Sequence, residues 1–293
     1  MNWLTEPWSY EFFRKGLLAG VLAGALCGLI GVYVVLRRMS YIGHGLSHAI
    51  FGGAVASYVV GVNFYVGAGL WGFVSALLIN AVARRRRIGA DAAIGIVTTA
   101  SFAFGVVLIS RYHRFTQNFE AALFGNILGV TGTQLLVLLG VTLFASAAVF
   151  LRYRQLLFAT FDPEVADAYG VNVRRIDGLF AFILAATVIA TMQVLGVTLI
   201  AAVIVIPAIV GRLVTDSFGR MLVLATAVGA ACGFGGMYAS YWLNAASGAT
   251  IVLFASAVFV VVYVVTAITN RRRLGELSDD HEAELAGGPT VRA

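Results

Sequence analysis

Arg37-Arg38-Met39-Ser40-Tyr41-Ile42-Gly43-His44-Gly45-Leu46-Ser47-His48-Ala49-Ile50 stands between two apolar stretches. The first ends on the arginine pair; the second runs from Phe51 to about Val62 without a charge. The two histidines are four residues apart, so a helix would put them on one face. Ionisable groups inside a membrane segment are costly and rarely face lipid, which makes this pair a site or a pathway until shown otherwise. If Arg38 marks an interface, His48 lies roughly 15 Å deeper along a helix. That is half of a ~30 Å hydrocarbon core, the depth at which transporter sites tend to lie.

The remainder of the chain supports a membrane setting. Hydrophobic residues make up 60% of the 293 and charged residues 12%, against about 45–50% and about 25% in soluble domains. The apolar runs are continuous over about 20 residues, as helices require, where barrel strands would alternate. The net charge of +6 comes from arginines placed between these runs, so it speaks to topology and gives no nucleic-acid footprint. Cys27 and Cys232 fall inside apolar runs and read as packing residues. The first run is long, lacks a cleavage site and is followed at once by others, so it reads as a membrane helix, not a signal peptide.

The reading is therefore an all-α polytopic protein with eight or nine transmembrane helices, a transmembrane domain over 1–270 and a disordered cytoplasmic tail over 271–293. Residues 1–15 mix Trp3, Trp8, Tyr10, Phe12 and Phe13 with charges and suit the membrane interface. The first span, about 16–36, carries Gly16, Gly20, Gly24 and Gly28 at a four-residue repeat, a groove for a close helix neighbour. The stretch 177–214 is too long for one helix and is divided near Gly196 into two spans, or into a span and a re-entrant half-helix. With nine spans, Arg37/Arg38, Arg84–Arg87, Arg152/Arg154/Arg174/Arg175, Arg212/Arg220 and Arg271–Arg273 share one side. That side is expected to be cytoplasmic.

His44 and His48 admit three readings: neutral imidazoles ligating a transition metal, a proton relay, or packing. The zinc-protease helix motif does not apply, because Gly45 stands where it needs glutamate. Two imidazoles leave a tetrahedral ion two ligands short, and a homodimer with the pair on its axis would supply four.

On the expected cytoplasmic side, residues 161–170 read as a short amphipathic helix. Asp162 can cap it, Pro163 suits its first position, Glu164 favours its positive end and Gly170 can end it. Phe161, Val165, Ala168 and Tyr169 would form an apolar face for the membrane or a partner. No phosphate-binding loop of the GxxxxGK[ST] form occurs, so ATP-driven transport would need a separate ATPase subunit.

Several segments then bring a family into view. They are Gly-Val-Tyr-Val-Val-Leu-Arg-Arg-Met-Ser (31–40), Leu-Ser-His-Ala (46–49), Asp-Ala-Ala-Ile-Gly-Ile (91–96) and Leu-Phe-Gly-Asn-Ile-Leu-Gly (123–129). Further along come Phe-Asp-Pro-Glu (161–164), Leu-Gly-Val-Thr-Leu-Ile-Ala-Ala-Val-Ile-Val-Ile-Pro-Ala (195–208) and Ser-Gly-Ala-Thr-Ile-Val-Leu (247–253). From about Tyr10 to Val265 the chain resembles the permease subunit of metal-ion ABC importers of the manganese/zinc/iron class. The resemblance implies a type II importer-like fold and a homodimeric membrane core in a bacterial or archaeal inner membrane. It also implies two cytoplasmic ABC ATPase subunits and an extracytoplasmic substrate-binding protein. Zn, Mn or Fe would be cargo, with no resident cofactor and no enzymatic activity of the chain's own. By the same resemblance, Phe161, Asp162, Pro163, Glu164, Tyr169 and Gly170 belong to the ATPase-coupling helix, and His48 is a metal ligand. His44 stands where the family usually has aspartate, which shifts ligand preference from Mn towards Zn, Cu or Fe. Arg111, His113, Arg114 and Glu120 are candidates for contact with the binding protein. Two alternatives remain: the same architecture importing a chelate or organic cofactor, and an ATP-independent cation carrier.

Overall fold

In the computed structural model, residues 5–83, 90–112 and 125–286 are described. They form helices joined by short turns, with no strand among them. The apolar helices are α1 (Glu11–Leu36), α2 (Ile42–Val60), α3 (Phe64–Ala83), α4 (Ala90–Tyr112) and α5 (Gly132–Leu151). After α5, two short helices follow, α6 (Tyr153–Phe161) and α7 (Pro163–Ala168). The bundle closes with α8 (Val173–Leu195), α9 (Ile200–Val214), α10 (Phe218–Leu243) and α11 (Ser247–Ala286). By length and composition, α1, α4, α5, α8, α10 and the 247–269 part of α11 can each cross a membrane. The apolar parts of α3 and α9 are shorter, and α2 has 19 residues. This is the polytopic helical fold that the apolar runs lead one to expect.

The glycine repeat of α1 has a partner that mirrors it. Gly20, Gly24 and Gly28 lie against the backbone of Gly233, Gly229 and Ala225 on α10, and Gly16 meets Met237. The contact is reciprocal, because a methyl group on Gly229 or Gly233 would overlap the carbonyl oxygens of Gly24 or Gly20. Two antiparallel helices thus meet backbone to backbone, which small residues at i, i+4 permit. Farther down, Gly31 abuts the Ile204 carbonyl of α9.

Three expectations need adjustment. The first helix starts at Glu11, not near residue 16, and spans about 39 Å. It therefore overshoots the apolar layer, and Glu11 and Lys15 pair at 2.6 Å on its first turns. The interfacial aromatics still collect here: Trp8 Nε1 donates to Tyr238 Oη, and Phe13 stacks edge-on against Tyr238 and Tyr241. The 152–176 connection holds two helices where one was expected. Phe161 ends α6, and the backbone breaks at Asp162 because Pro163 cannot continue the ladder. Last, α11 continues to Ala286, into the stretch read as a tail. Helix-favouring Arg, Leu, Glu and Ala make up most of residues 271–286.

The seam sets a test. Gly24→Ala forces two backbones apart, whereas Gly140→Ala on α5 meets nothing within 4 Å. The first is expected to cost about 1–3 kcal/mol as overpacking does, and the second close to nothing. Thermal unfolding of the detergent-solubilised variants, followed by size-exclusion profile, checks the contrast.

Candidate metal-binding site

Helix α2 is gripped on three sides. Gly45 sits against Ile94 and Thr98 of α4, Gly52 against Ser101, Gly53 against Trp71 of α3, and Gly43 near Ile204 of α9. The glycines around the histidines thus serve close packing, and α2 stays helical through them. What remains open is the face that carries the histidines: His44 is exposed and His48 half-buried. Their rings lie 4.6 Å apart edge to face, and His48 rests edge-on against Phe102 at 5.3 Å. Imidazoles at i, i+4 on one helix face can share a metal ion. Among the described residues no third His, Cys, Asp or Glu joins them.

The residue between the histidines has a structural task that the sequence did not reveal. Ser47 Oγ is within hydrogen-bond distance of the His44 carbonyl (2.8 Å) and of the Val197 carbonyl (2.9 Å). Val197 belongs to the non-helical turn between α8 and α9. Gly196 opens that turn at φ 85°, ψ 154°, a conformation open in practice only to glycine. Helix α9 has 15 residues, about 22 Å, short of a ~30 Å core. The turn lies beside the histidine-bearing turn of α2. Irregular backbone at membrane depth is tolerated where protein covers it or where it lines a path. The sequence signal was Gly196; the break occurs where the long apolar stretch was divided. Thr98 is a second missed neighbour: its hydroxyl is buried without a hydrogen-bond partner and lies against Gly45.

Just before this turn, Gln193 Oε1 accepts from Tyr65 Oη at 3.0 Å and from Gln134 Nε2 at 2.7 Å, so α3, α5 and α8 are tied together. Below it, Arg37 leaves the end of α1 and enters a buried node. Its Nη1 donates to Asp177 Oδ1 of α8 at 2.8 Å and its Nε to Thr160 Oγ1 of α6 at 3.2 Å. Its Cζ stands 4.3 Å from the centroid of the Phe180 ring. Both charged side chains are about nine-tenths hidden. Arg37 was read as a topology marker; the pairing across 140 positions of sequence was not visible there. Next to the pair, Arg38 takes φ 55° as the chain turns into α2.

The short helix beneath behaves as its sequence suggests. Asp162 Oδ1 accepts from the Val165 N–H at 3.0 Å, and Pro163 opens α7. At the other end Gly170 adopts φ 78°, with Val171 N–H on the Ala166 carbonyl and Gly170 N–H on the Asp167 carbonyl, a closed C-cap. Glu164 is exposed, and so are Phe161, Val165 and Tyr169, the last at 84%. Arg111 is exposed at the end of α4, 5.9 Å from the Tyr112 ring centroid. His113, Arg114 and Glu120 lie outside the described residues.

A polytopic helical bundle with paired histidines on an open helix face and a capped helix presented at its arginine-bearing end has the build of a membrane transport permease. Comparison with known proteins gives the family. Residues 9–266 match the ABC 3 transport family, and the chain belongs to it. It is 38% identical over 255 residues to "Manganese transport system membrane protein MntC" of Halalkalibacterium halodurans, covering 87% of each chain. It is 31% identical over 261 residues to "Chelated iron transport system membrane protein YfeD" of Yersinia pestis, covering 89% of this chain and 88% of that one. Among solved structures, PsaBC from Streptococcus pneumoniae in complex with Fab superposes with TM-score 0.80 at 30% identity, over 89% of this chain and 94% of the other. This is a multi-pass plasma-membrane permease of that ABC transport family.

The ion-pair node yields a prediction. Arg37→Gln leaves the Asp177 carboxylate buried without its partner, and breaking such a pair costs about 3–5 kcal/mol. The double change Arg37→Met/Asp177→Leu removes both charges and is expected to recover most of that loss. Melting temperatures of the three proteins measure it.

Proposed function

We propose that the chain is the transmembrane half of an ATP-driven importer that moves a divalent transition-metal ion, Zn, Mn or Fe, into the cell along a path between two copies of itself. The observation that carries this is the open His44–His48 face, two rings 4.6 Å apart with no third His, Cys, Asp or Glu beside them among the described residues. A second copy related by a two-fold axis would complete four nitrogen ligands. The family match and the manganese and chelated-iron relatives support a metal cargo. Imidazole in place of the carboxylate that the resemblance leads one to expect favours Zn or Fe over Mn on ligand grounds.

Energy would come from separate ATPase subunits docking on α7, whose exposed Val165 and Tyr169, with Phe161 beside it, offer an apolar contact on the arginine-bearing, cytoplasmic side. An extracytoplasmic binding protein would deliver the ion, with Arg111 at the end of α4 as a contact. The chelate reading keeps the same architecture; it is favoured only if the four histidines stand too far apart for one ion.

The test is metal binding and uptake by the permease with its ATPase in lipid nanodiscs or vesicles. His44→Ala and His48→Ala should each lower Zn, Mn or Fe affinity by more than about 100-fold, beyond the roughly 10–100-fold that loss of a supporting residue costs. His44→Asp should move relative preference towards Mn. Unchanged affinity in both alanine variants would overturn the site. Tyr169→Ala should leave the permease folded, since the ring is 84% exposed, while metal-stimulated ATP hydrolysis falls; measuring both in one preparation separates coupling from folding.

A further inference from the structure

A groove opens on the opposite flank of the bundle from the histidine face. Helix α2 packs among α3, α4, α8 and α9, whereas this groove lies between α5 and α10, with Leu29 of α1 between them. It encloses about 1030 Å³, the upper end of what ligand sites occupy. Val149, Phe150, Leu151, Leu222 and Val223 supply apolar walls. Phe150 and Leu151 are exposed to 82% and 78%, far more than protein packing would leave. The walls extend only from Ser146 to Leu151 on α5 and from Gly219 to Thr226 on α10, the last turns at the arginine-bearing end. The groove is therefore confined to one leaflet, roughly the first 8–12 Å of it.

Its mouth is basic. Arg152 and Arg154 both line it and are exposed, with Tyr153 and Gln155 alongside. Arg152 Nη1 donates to Gln155 Oε1 at 3.0 Å. Among the described residues the ion pairs are Lys15–Glu11 and Arg37–Asp177, so neither of these guanidinium groups meets a carboxylate. An apolar cleft of leaflet depth under two arginines that pair with no carboxylate among the described residues fits one kind of molecule: a lipid with an anionic head and hydrocarbon tails. Basic pockets between membrane helices on the cytoplasmic side bind such head groups, and guanidinium matches phosphate in shape and charge.

We propose that this groove is a binding site for an anionic phospholipid of the cytoplasmic leaflet, with the phosphate held by Arg152 and Arg154 and the acyl chains along Phe150, Leu151 and Val223. The lipid would fill the space between α5 and α10 at the base of α6, the helix that carries Thr160 and leads into α7. The inference is independent of which ion the histidines bind.

The experiment uses Phe150→Trp in the assembled transporter, reconstituted in vesicles containing brominated phosphatidylglycerol or brominated phosphatidylcholine. Quenching of the unchanged protein, with its four tryptophans, is subtracted. Phosphatidylglycerol should quench the new tryptophan with an apparent affinity on the order of tenfold above phosphatidylcholine, each arginine contributing up to about fivefold. Arg152→Gln/Arg154→Gln in the same background should bring the ratio close to one. Arg174→Gln, elsewhere on the same side, should leave it unchanged. Glycerol phosphate added in solution should not compete, because it lacks the chains. Equal quenching by the two lipids overturns the proposal, as does a preference that survives loss of both arginines or one abolished by glycerol phosphate alone. A double variant that loses its ATPase subunits while keeping the lipid preference overturns it too, and assigns the arginines to that interface.

Discussion

The Arg37–Asp177 pair is the constraint on which the rest of the arrangement depends. Helices α1 and α2 are joined by five residues, so the position of the histidine face follows from where α1 ends. That end is fixed by a buried guanidinium held by a carboxylate, a threonine hydroxyl and an aromatic face. A buried ion pair contributes little net stability compared with apolar packing, but an unpaired charge there is strongly disfavoured. Alternative registers of α1 against α8 would leave either charge alone. The pair therefore selects one geometry, and the glycine seam of α1 against α10 supplies the close packing that this geometry requires.

Much of this was legible because local rules act over short distances. Continuous apolar runs marked the spans, the four-residue glycine repeat marked a seam, and Asp162, Pro163 and Gly170 marked the start and stop of α7 by capping chemistry that works within one turn. The chain break at Pro163 follows from the same chemistry, yet residues 153–161 gave no comparable start signal: Arg152 precedes them as N-cap without a side-chain bond. Helix α6 forms because it packs Leu156 and Ala159 inward, a tertiary fact. The polar ties escaped for the same reason. Ser47 reaches Val197 across 150 positions and Tyr65 reaches Gln193 across 128; neither partner announces the other by spacing. The seam's partner, Ala225-Gly229-Gly233, does show the small-residue period in sequence, but period alone cannot say which stripes meet.

The histidine site combines both kinds of information. That His44 and His48 share a face follows from i, i+4 spacing; that this face is the open one follows from the glycines, which commit every other side of α2 to neighbours. Small residues here do more than allow contact. By consuming α3, α4 and α9 in backbone-close packing, they leave the imidazoles as the polar groups that project outward, with Phe102 holding His48 from one side.

Helix α8 joins the two levels of the molecule. Asp177, near its start, is bonded to α1 and through Arg37 to the helix that leads into α7; Gln193, near its end, is bonded to α3 and α5; and the turn that follows is bonded through Ser47 to the histidine helix. An α-helix resists compression along its axis, so a displacement of α6 and α7 that keeps these bonds must be absorbed where the backbone is not helical. Besides the 169–172 turn between α7 and α8, with Gly170 at φ 78°, the non-helical places next to the histidine helix are the 37–41 turn, with Arg38 at positive φ, and the 196–199 turn, with Gly196 in a region only glycine readily occupies. Both border the histidine helix, one at its base and one beside Ser47. A displacement at the arginine-bearing end that followed this path would reach the histidine helix through those two turns, without the packed glycine interfaces sliding.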